Sequence, residues 1–537
     1  MARGADFDLA RELGKPSFTP SVRDAPALIA LIVDGAEPAA GRAQAALAQL
    51  GDAARTAVTR RLADASEIDD GGKARLIAVL GRRARAGDRE ARAHLITHVG
   101  DPAPRVRKAA AIALGKLTAA LDDLGALDDA RAALIARWDA GDAPADERRA
   151  LAEALGKLGG ADALARLHTI DAGGDRELAR RRDRAVIMAE RGAHRADDAI
   201  SEIRADVAPP TPLPIELACR PGLAGLLVER LARFAPDARP LGDRGAALRL
   251  RAPLARLFEV RLWTAIAIPF ALPGGELAAA ITRTMTSPAV LAVLRAWTRG
   301  PIRWRLGFTR GHKRAIVWQV ARDVSAAQPA LINDPSATTW DAVVDADARS
   351  LALVPRRLTD PRFAYRVADV PAASHPTVAA ALAEVAAPRP GERVWDPFCG
   401  SGLELIEAAR RAGDPLRLYG SDLDGDALAA ARANLAAAGV DAALAIADAR
   451  SHDLADLDLI ISNPPLGSRV QLDAGALLAA ALPNFARALG RGGRLVWITP
   501  VARITSPVAE RLGLVRRWSA AVDLGGVRGQ LEQWQRR

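Results

Sequence analysis

Two short motifs in the C-terminal third of the chain contain residue types that can perform chemistry. Residues 396–402, Asp-Pro-Phe-Cys-Gly-Ser-Gly, combine an acidic side chain with a glycine-rich turn, a pattern suited to holding a nucleoside cofactor. Asn463-Pro464-Pro465-Leu466-Gly467 begins 61 residues after Gly402. Its amide and carbonyl oxygens can accept the hydrogens of an exocyclic amine. Together, in this order, the motifs predict methylation of a planar amino group from S-adenosylmethionine (SAM).

The Asn-Pro-Pro motif suits this reaction because a ring-conjugated amine is a poor nucleophile. Its lone pair is delocalised into the ring. Hydrogen bonds to the Asn463 side-chain oxygen and the Pro464 carbonyl would localise that lone pair and stabilise the developing positive charge. Two prolines fix the backbone and remove competing N–H donors. We predict that Asn463, Pro464, Pro465 and Leu466 form the catalytic loop, that in-line transfer depends on proximity, and that no metal ion takes part.

The predicted elements around these motifs place several polar residues at one sheet edge. Four strands each end at a polar residue: 393–395 at Asp396, 417–421 at Asp422, 444–447 at Asp448 and 457–462 at Asn463. Ligands of open α/β sheets bind at the C-terminal edge of the strands. Asp422 is placed to accept the ribose hydroxyls and Asp448 to accept from the adenine amine. The predicted cofactor-binding residues are Asp396, Pro397, Phe398, Cys399, Gly400, Gly402, Asp422, Leu423, Asp448 and Ala449.

These residues resemble those of class I SAM-dependent methyltransferases that modify exocyclic amines. The likeness is greatest to the THUMP-associated guanine-N2 RNA methyltransferases and covers residues 215–537. Ala373-Ser374-His375-Pro376-Thr377 resembles that family's cofactor-flanking segment, and residues 492–498, 518–522 and 529–534 resemble its fifth strand and closing hairpin. Cys219-Arg220-Pro221-Gly222-Leu223 resembles the opening of its ferredoxin-like module. The resemblance implies N2-methylguanosine formation in tRNA or ribosomal RNA, with a divergent THUMP domain that binds the tRNA acceptor end.

Two features depart from that family's pattern. The fourth position of its catalytic loop is usually Tyr or Phe, which stacks on the flipped base, whereas this chain has Leu466. Stacking of a base on an aromatic ring is worth ~1–3 kcal/mol. An N-terminal helical region is the second departure. Leu466 is therefore the residue that most favours a different target.

Residues 1–205 are predicted to form a helical array. Ala-Leu-Gly-Lys-Leu at 113–117 recurs at 154–158, a spacing of 41 residues, with a weaker echo at 79–81. This period is typical of HEAT-like repeats, which bury their apolar faces only against one another in an α-solenoid. We expect the array to act as a scaffold, with a face for RNA or a protein partner.

Residues 212–357, which begin within the proline-rich linker 208–214, are predicted to be α+β, with a ferredoxin-like and THUMP-like RNA-binding character. Between residues 277 and 322 there are nine Lys or Arg and no Asp or Glu. Arginines can contact phosphates, and aromatic side chains can stack on unpaired bases. Singly, however, the tryptophans here are better explained as core residues. The candidate RNA-binding residues are Arg299, Arg303, Arg305, Arg310, Lys313 and Arg314.

Overall composition is compatible with this multidomain assignment, whose third domain is an α/β Rossmann-like unit over residues 366–537. The 537-residue chain has a net charge of +10 and a pI near 10.4, which favours a polyanionic partner but also reflects arginine-rich composition in general. The two cysteines fit a reducing compartment. We expect no secretory signal, because the first residues contain no apolar run, and the longest apolar run of the chain, 262–272, is too short for a membrane span. We expect a cytoplasmic protein with no membrane partner.

Three other functions fit parts of the pattern. A DNA adenine-N6 methyltransferase uses the same chemistry but normally carries an aromatic residue in the catalytic loop and a target-recognition domain. A protein-glutamine methyltransferase shares Asn-Pro-Pro but has no need of a basic, aromatic-rich middle region. A non-catalytic RNA-binding scaffold would explain Leu466, but it is opposed by the intact Asp396, Asp422, Asp448 and Asn463.

Overall fold

The computed structural model describes residues 8–15, 18–64, 68–117, 124–196, 200–311, 313–371, 374–465 and 474–537. The chain forms two compact units. The first comprises residues up to 199 together with 313–334, and the second comprises 200–312 and 335–537.

In the first unit, the described residues between 8 and 196 form helices joined by loops and turns. Its helices, α1 to α11 in chain order, are Leu9–Glu12, Ala25–Asp34, Ala39–Ala48, Asp52–Ala63, Asp70–Arg85, Arg89–His98, Pro104–Leu114, Leu124–Asp139, Ala145–Leu158, Ala161–His168 and Arg176–Ala196. A short 3-10 helix, Val22–Asp24, precedes α2. Apolar side chains from these helices share one continuous core. The helical prediction for this region is therefore confirmed.

Alternate helices of the first unit stack in sequence order, α5 on α7, α7 on α9 and α9 on α11. Each contact is a close approach between a glycine and an alanine. A Cβ atom added to the glycine would lie 2.8 Å from the next alanine Cβ at Gly81–Ala113, 2.7 Å from Cα at Gly115–Ala154 and 2.4 Å from Cα at Gly156–Ala185. Helix packing thus explains the recurring Ala-Leu-Gly string. Its alanine contacts the glycine of the preceding helix in the stack, and its glycine contacts an alanine of the following one.

We expect Gly156→Ala to destabilise the first unit by about 1–3 kcal/mol, because the new methyl group overlaps the α11 backbone. Gly192→Ala in α11 is the matched control, since its added Cβ meets nothing within 4 Å. It should raise the free energy of unfolding by about 0.5–1 kcal/mol through helix propensity. Urea denaturation followed by circular dichroism measures both. Equal shifts in the two variants would contradict the packing explanation.

The second unit begins with a mixed sheet. Its strands in this unit are β2 Leu213–Cys219, β3 Arg239–Pro240, β4 Gly245–Leu250, β5 Trp263–Ala271, β7 Ile302–Phe308, β9 Trp340–Asp345 and β10 Ser350–Pro355. Two further strands, β1 Glu202–Ile203 and β6 Thr298–Arg299, pair with each other in a separate two-stranded sheet. Strands β3, β4, β2, β5, β10, β9 and β7 lie side by side in that order, and the pairings are antiparallel except for the parallel pair β7–β9. Helices α12 Ala224–Leu231, α13 Leu277–Met285 and α14 Pro288–Trp297 and a 3-10 helix, Leu254–Glu259, complete this α+β region.

Tryptophans of this region belong to its core. Trp297, Trp304 and Trp340 are fully buried, which agrees with the core interpretation of individual tryptophans. Strand β5 occupies the longest apolar run. Among the described residues no single helix is long and apolar enough to cross a membrane, although α13 and α14, bent by 50°, pass that test as a pair by length and composition.

The unit boundaries differ from the predicted domain limits. Residues 200–207 lie with the second unit because β1 pairs with β6 and the Trp297 indole N–H donates to the Val207 carbonyl at 2.9 Å. Pro214, predicted to lie in a linker, is inside β2. Helix α15, Arg314–Ala327, and strand β8, Leu331–Asn333, group with the first unit. There α15 packs on α11, with Arg191 over the Trp318 ring.

The C-terminal domain of the second unit is a doubly wound α/β fold. Its strands, β11 to β17, are Arg393–Asp396, Arg417–Asp422, Ala443–Ile446, Leu457–Ser462, Leu489–Thr499, Leu514–Asp523 and Arg528–Arg536. Its helices, α16 to α20, are Pro376–Ala386, Leu403–Ala412, Gly425–Ala438, Ala474–Ala488 and Ala502–Arg511. The strand order is β13-β12-β11-β14-β15-β17-β16, in which the first five are parallel. Strand β17 is antiparallel to β15 and β16. The Rossmann-like prediction is confirmed, including the closing hairpin.

Candidate active site

The loop between β11 and α17 leaves an open cradle at the sheet edge. Gly400 and Gly402 have φ values of +48° and +81°, in the left-handed region that favours glycine. A Cβ atom on Gly400 would meet nothing within 4 Å, so its backbone faces free space. A Cβ atom on Gly402 would lie 3.3 Å from the Ala431 Cβ, which explains a glycine where α17 packs on α18. The first glycine therefore borders open space, and the second allows the close packing of the two helices.

Side chains of the same loop divide between the core and the site. Cys399 is buried, and burial raises the pKa of its thiol, so it is not a reactive thiolate. Phe398 is half-buried and packs edge-to-face on Phe485 at 6.4 Å between ring centroids. Pro397 is also buried. These three residues shape the loop, and its backbone and glycines provide the open surface.

Asp422, at the end of β12, ties this loop to the second strand. Its carboxylate accepts from the Gly400 N–H at 2.9 Å and from the Asp424 N–H at 3.1 Å. Each oxygen retains a further lone pair, so the group can still accept two hydroxyl donors. Leu423 and Ile446, which follow β12 and end β13, are apolar side chains left 67% and 69% exposed. A planar apolar ligand group beside Asp422 would cover such surface.

Asp448 and Ala449 occupy different environments. The Asp448 carboxylate accepts from the Arg450 backbone and side chain at 2.6–3.0 Å, and the hydrogen bonds from Arg450 hold its pKa below the usual range. Asp448 is thus an ionised acceptor at the sheet edge. Ala449 is 3% exposed and packs in the hydrophobic core, while its carbonyl accepts from Asn484. The Ala449 side chain is therefore a core group, and a contact of this residue with the cofactor through its backbone stays a prediction.

Asp396 is a fully buried carboxylate with one uncommitted oxygen. Its Oδ1 accepts from the Ser462 hydroxyl at 2.7 Å and from the Phe398 N–H at 3.1 Å. Its Oδ2 has no hydrogen-bond partner among the described residues. Burial and the nearby charge of Glu404 raise the pKa of Asp396 well above its usual value. A cationic ligand group would relieve both the missing partner and the buried charge.

Asn463, which follows β14, is held by a chain of hydrogen bonds. Its Nδ2 donates to the Ser374 hydroxyl at 2.8 Å, and that hydroxyl donates to Glu404 Oε1 at 2.5 Å. Asn463 Oδ1 is buried and has no partner among the described residues. An unsatisfied buried acceptor costs about 1–3 kcal/mol, so this oxygen is set up to receive a donor. Pro464 is buried and Pro465 half-buried, whereas Leu466 lies outside the described residues.

Sequence reasoning missed Ser374 and Glu404 as site residues. Ser374 lies in the predicted cofactor-flanking segment 373–377, of which Ala373 is outside the described residues. His375 in the same segment caps α16, where its Nδ1 accepts from the Thr377 N–H at 3.3 Å. Glu404 lies in the first turn of α17 and is 3% exposed. Glu404 could have been identified from the sequence because it lies between Leu403 and Leu405, on a helix face that is expected to be buried.

The candidate RNA-binding residues do not form one group. Arg299, Arg303, Arg305 and Arg310 lie in the second unit, whereas Lys313 and Arg314 lie in the first. Arg303 is 4% exposed, and this burial removes it from the predicted interface. Arg305 is held by a bidentate pair with Asp341 at 2.8–2.9 Å. The Arg299 and Arg310 side chains are 68% and 88% exposed, and Lys313 and Arg314 are also exposed.

The C-terminal domain is similar in sequence to known methyltransferase domains. The UPF0020 family model, described as an RMKL-like methyltransferase domain, matches residues 364–530. A tRNA (guanine(6)-N2)-methyltransferase from Thermus thermophilus is 34% identical over 157 residues, which cover 28% of this chain and 47% of that protein. A tRNA (guanine(10)-N2)-dimethyltransferase from Methanothermobacter thermautotrophicus is 28% identical over 199 residues, covering 36% and 56%. The U6 snRNA (guanine-N(2))-methyltransferase THUMPD2 of Mus musculus is 34% identical over 124 residues, covering 22% and 23%.

The chain spans about half the length, or less, of these curated relatives. Among solved structures, TrmN from Thermus thermophilus aligns with a TM-score of 0.50 at 24% identity, covering 60% of this chain and 100% of that chain. This likeness concerns the fold alone. Residues 364–530 thus match methyltransferase domains in sequence, and their first four strands are parallel neighbours that end at one sheet edge, as predicted.

Proposed function

We propose that this protein is a SAM-dependent RNA methyltransferase that forms N2-methylguanosine, with tRNA as its substrate. One observation carries the proposal. Asn463 Oδ1 is a buried acceptor without a partner among the described residues, held at the sheet edge beside the Asp396–Gly402 loop. An amine with two N–H donors supplies what this oxygen lacks.

The residues at the sheet edge fit the cofactor's parts. Asp396 Oδ2 and its buried charge suit a cationic group, Asp422 suits vicinal hydroxyls, and the exposed Leu423 and Ile446 suit the faces of an adenine ring. Space in front of Gly400 allows close backbone approach. When bound, SAM supplies an electrophilic methyl group on a sulfonium. Asp396, Asp422 and the glycine loop would hold it.

The substrate nitrogen then attacks in line. Its lone pair would form the new N–C bond with the methyl group that bound SAM supplies, a neutral thioether would be the leaving group, and the nitrogen would release one proton to solvent. Asn463 Oδ1 and the Pro464 carbonyl accept the amine hydrogens and localise the lone pair. Neither group changes its own protonation state, so catalysis rests on orientation and electrostatic stabilisation.

Guanine-N2 as the target is supported by the relatives' printed activities, which are guanine-N2 methylations of tRNA or U6 snRNA. In this proposal the mixed sheet over 213–355 is a THUMP-like region that binds RNA. The glycine–alanine stack is a HEAT-like solenoid that adds an RNA or protein contact, and the enzyme works in the cytoplasm.

The direct test supplies the purified chain with methyl-labelled SAM and, separately, unmodified tRNA, ribosomal RNA, DNA or protein. Nucleosides from the labelled product are then separated. We expect label in N2-methylguanosine from tRNA. Label in N6-methyldeoxyadenosine from DNA, or in methylglutamine from hydrolysed protein, would contradict the proposal and support one of the alternative amine substrates.

Arg299 and Arg310 are the arginines of the basic stretch that we expect to contact phosphates. Exchanging both for glutamine should weaken tRNA binding and reduce the slope of log K against log salt by about one for each contact. Arg417→Gln is the matched control, because that exposed arginine begins β12 and so lies at the opposite end of the strand from the candidate site. Fluorescence titrations at several salt concentrations measure the slope. An unchanged slope in the double variant would mean that Arg299 and Arg310 face solvent and do not contact RNA phosphates.

A further inference from the structure

We propose that Ser374 and Glu404 form a positioning relay that decides which end of the Asn463 amide faces the substrate amine. The inference rests on the proposed function for its catalytic consequence. Its structural basis is the chain Asn463 Nδ2 to Ser374 Oγ to Glu404 Oε1, with distances of 2.8 and 2.5 Å. Three separate elements meet there, the end of β14, the residue before the α16 cap and the first turn of α17.

The direction of the chain follows from the donors each group has. An ionised Glu404 can only accept, so the single Ser374 hydroxyl hydrogen points to it. The Ser374 oxygen is then available only as an acceptor, and Asn463 must turn Nδ2 toward it. Oδ1 consequently faces away from the relay, in agreement with its lack of a partner among the described residues. An amine donor therefore meets an oxygen rather than a second set of N–H donors.

Protonation of Glu404 permits the opposite direction. A protonated carboxyl can donate to Ser374, whose hydroxyl can then donate to Asn463 Oδ1. The amide would turn over and present Nδ2 to the substrate, where two donors oppose each other. The relay is thus a two-state device in which only the ionised state presents the acceptor.

Surroundings of Glu404 make this switch accessible near neutral pH. The titratable groups that face it are Asp396, Cys399, Tyr365 and Glu407, and no basic side chain pairs with it in the described part of the chain. Burial raises the pKa of Glu404 to about 7. Glu407, one turn later, differs because Arg261 and Tyr365 donate to it. Glu404 is therefore the buried acid of α17 that is left without a cation.

The kinetic test compares Glu404→Gln with the wild type over pH 6–9. Wild-type kcat/KM for SAM should rise with pH through about 7, because the ionised free enzyme presents Oδ1. The glutamine amide in Glu404→Gln allows either direction at every pH, so we expect the rise to disappear. With the two directions about equally populated, only about half of the molecules present Oδ1, so kcat at pH 8 should fall about twofold. KM for SAM should change little. Glu510→Gln, on the exposed face of α20, is the control that keeps the wild-type profile.

Further variants separate positioning from simple loss of structure. Ser374→Ala should lose kcat about as much as Glu404→Gln, and the double variant should lose no more, because both act through one chain. Ser374→Thr keeps the hydroxyl and should restore most activity. Additive losses, or a Glu404→Gln enzyme with wild-type kcat and pH profile, would overturn the relay.

A spectroscopic test does not depend on the substrate. Selective ¹⁵N labelling of asparagine gives a side-chain NH₂ signal for Asn463, assigned by its loss in Asn463→Asp. In the wild type this signal should shift with pH near 7, and in Glu404→Gln it should not. If wild-type protein methylates no RNA, the proposed function fails while this shift still supports the relay. A signal that is insensitive to pH would reject the relay even if methylation is observed.

Discussion

Asn463→Ala is expected to lower kcat for methyl transfer by about 10²–10³-fold while leaving the affinity for SAM within about twofold. The side-chain oxygen accepts an amine hydrogen, and that hydrogen bond strengthens as positive charge develops on nitrogen. Alanine removes it and leaves only the Pro464 carbonyl. The Asp396 and Asp422 contacts of the cofactor loop do not involve Asn463. Isothermal titration with SAM and single-turnover transfer to tRNA measure the two effects separately.

Asn484→Ala is the matched control for this substitution. Its Nδ2 donates to the Ala449 and His452 carbonyls, so the change should lower stability without lowering the rate per folded molecule. Loss of SAM binding in Asn463→Ala would show that the residue supports the cofactor site instead. Unaltered turnover would remove Asn463 from the catalytic role.

The strand ends of the C-terminal domain were predictable from the sequence because two local signals coincide there. Short apolar runs are followed by Asp396, Asp422 and Asn463, and the runs form parallel neighbours whose C-terminal ends share one edge. The third strand ends at Ile446, one residue before the predicted end. Regular alternation of strands and helices fixes such positions closely, since each element is recognisable by itself.

Contacts between distant segments were not predictable in this way. Ser374 meets Asn463 across 89 residues and Glu404 across 30, and nothing local in the sequence specifies either pairing. Arg303 belongs to a stretch without acidic residues and looks solvent-exposed, yet it lies in β7 and is only 4% exposed. Charge patterning reports which residues are near in sequence, whereas burial depends on which face of a strand the fold covers.

The position of α15 illustrates the same limit at the level of domains. Composition changes little across residues 277–322, so the basic stretch looked like one surface. In the structure α15 leaves the mixed sheet's unit and packs on α11 through Trp318, whose ring lies beneath Arg184 and Arg191. The sequence of a helix that lies between two strands does not show which unit the helix will pack in.

Buried acids near the candidate site fall into two electrostatic classes. Glu407 is neutralised by a bidentate pair with Arg261 at 2.7 Å and by the Tyr365 hydroxyl at 2.6 Å. Among the described residues, the side-chain donors to Asp396 and Glu404 are the neutral hydroxyls of Ser462 and Ser374, and Asp396 also accepts from the Phe398 N–H. The first class needs no ligand, since Arg261 balances the charge of Glu407 within the protein. The second class costs stability unless a cation arrives, which is what a cofactor with a sulfonium and an amino group provides.

This contrast predicts opposite effects for two isosteric substitutions in the protein without cofactor. Asp396→Asn should stabilise the fold, because Oδ1 still accepts from Ser462 while the buried charge is gone. Glu407→Gln should destabilise it by about 3 kcal/mol or more, because Arg261 loses its partner. Asp396→Asn should at the same time weaken SAM binding. The reason is that the neutral amide of Asp396→Asn cannot form an ion pair with a cationic ligand.

The pH dependence of the Asp396→Asn gain distinguishes this explanation from a general packing effect. The pKa of Asp396 is higher in the folded protein than in the unfolded chain. At pH values between these two pKa values the folded protein therefore binds more protons, so the wild-type free energy of unfolding falls as the pH rises. The Asp396→Asn variant has no carboxyl group at this position and lacks this loss. Its stability gain should therefore be small in acid and grow toward alkaline pH, as measured by urea denaturation from pH 5 to 9. A gain that is constant with pH would show that Asp396 is not a buried acid held ready for a cation, and the electrostatic account of the cofactor site would have to be replaced.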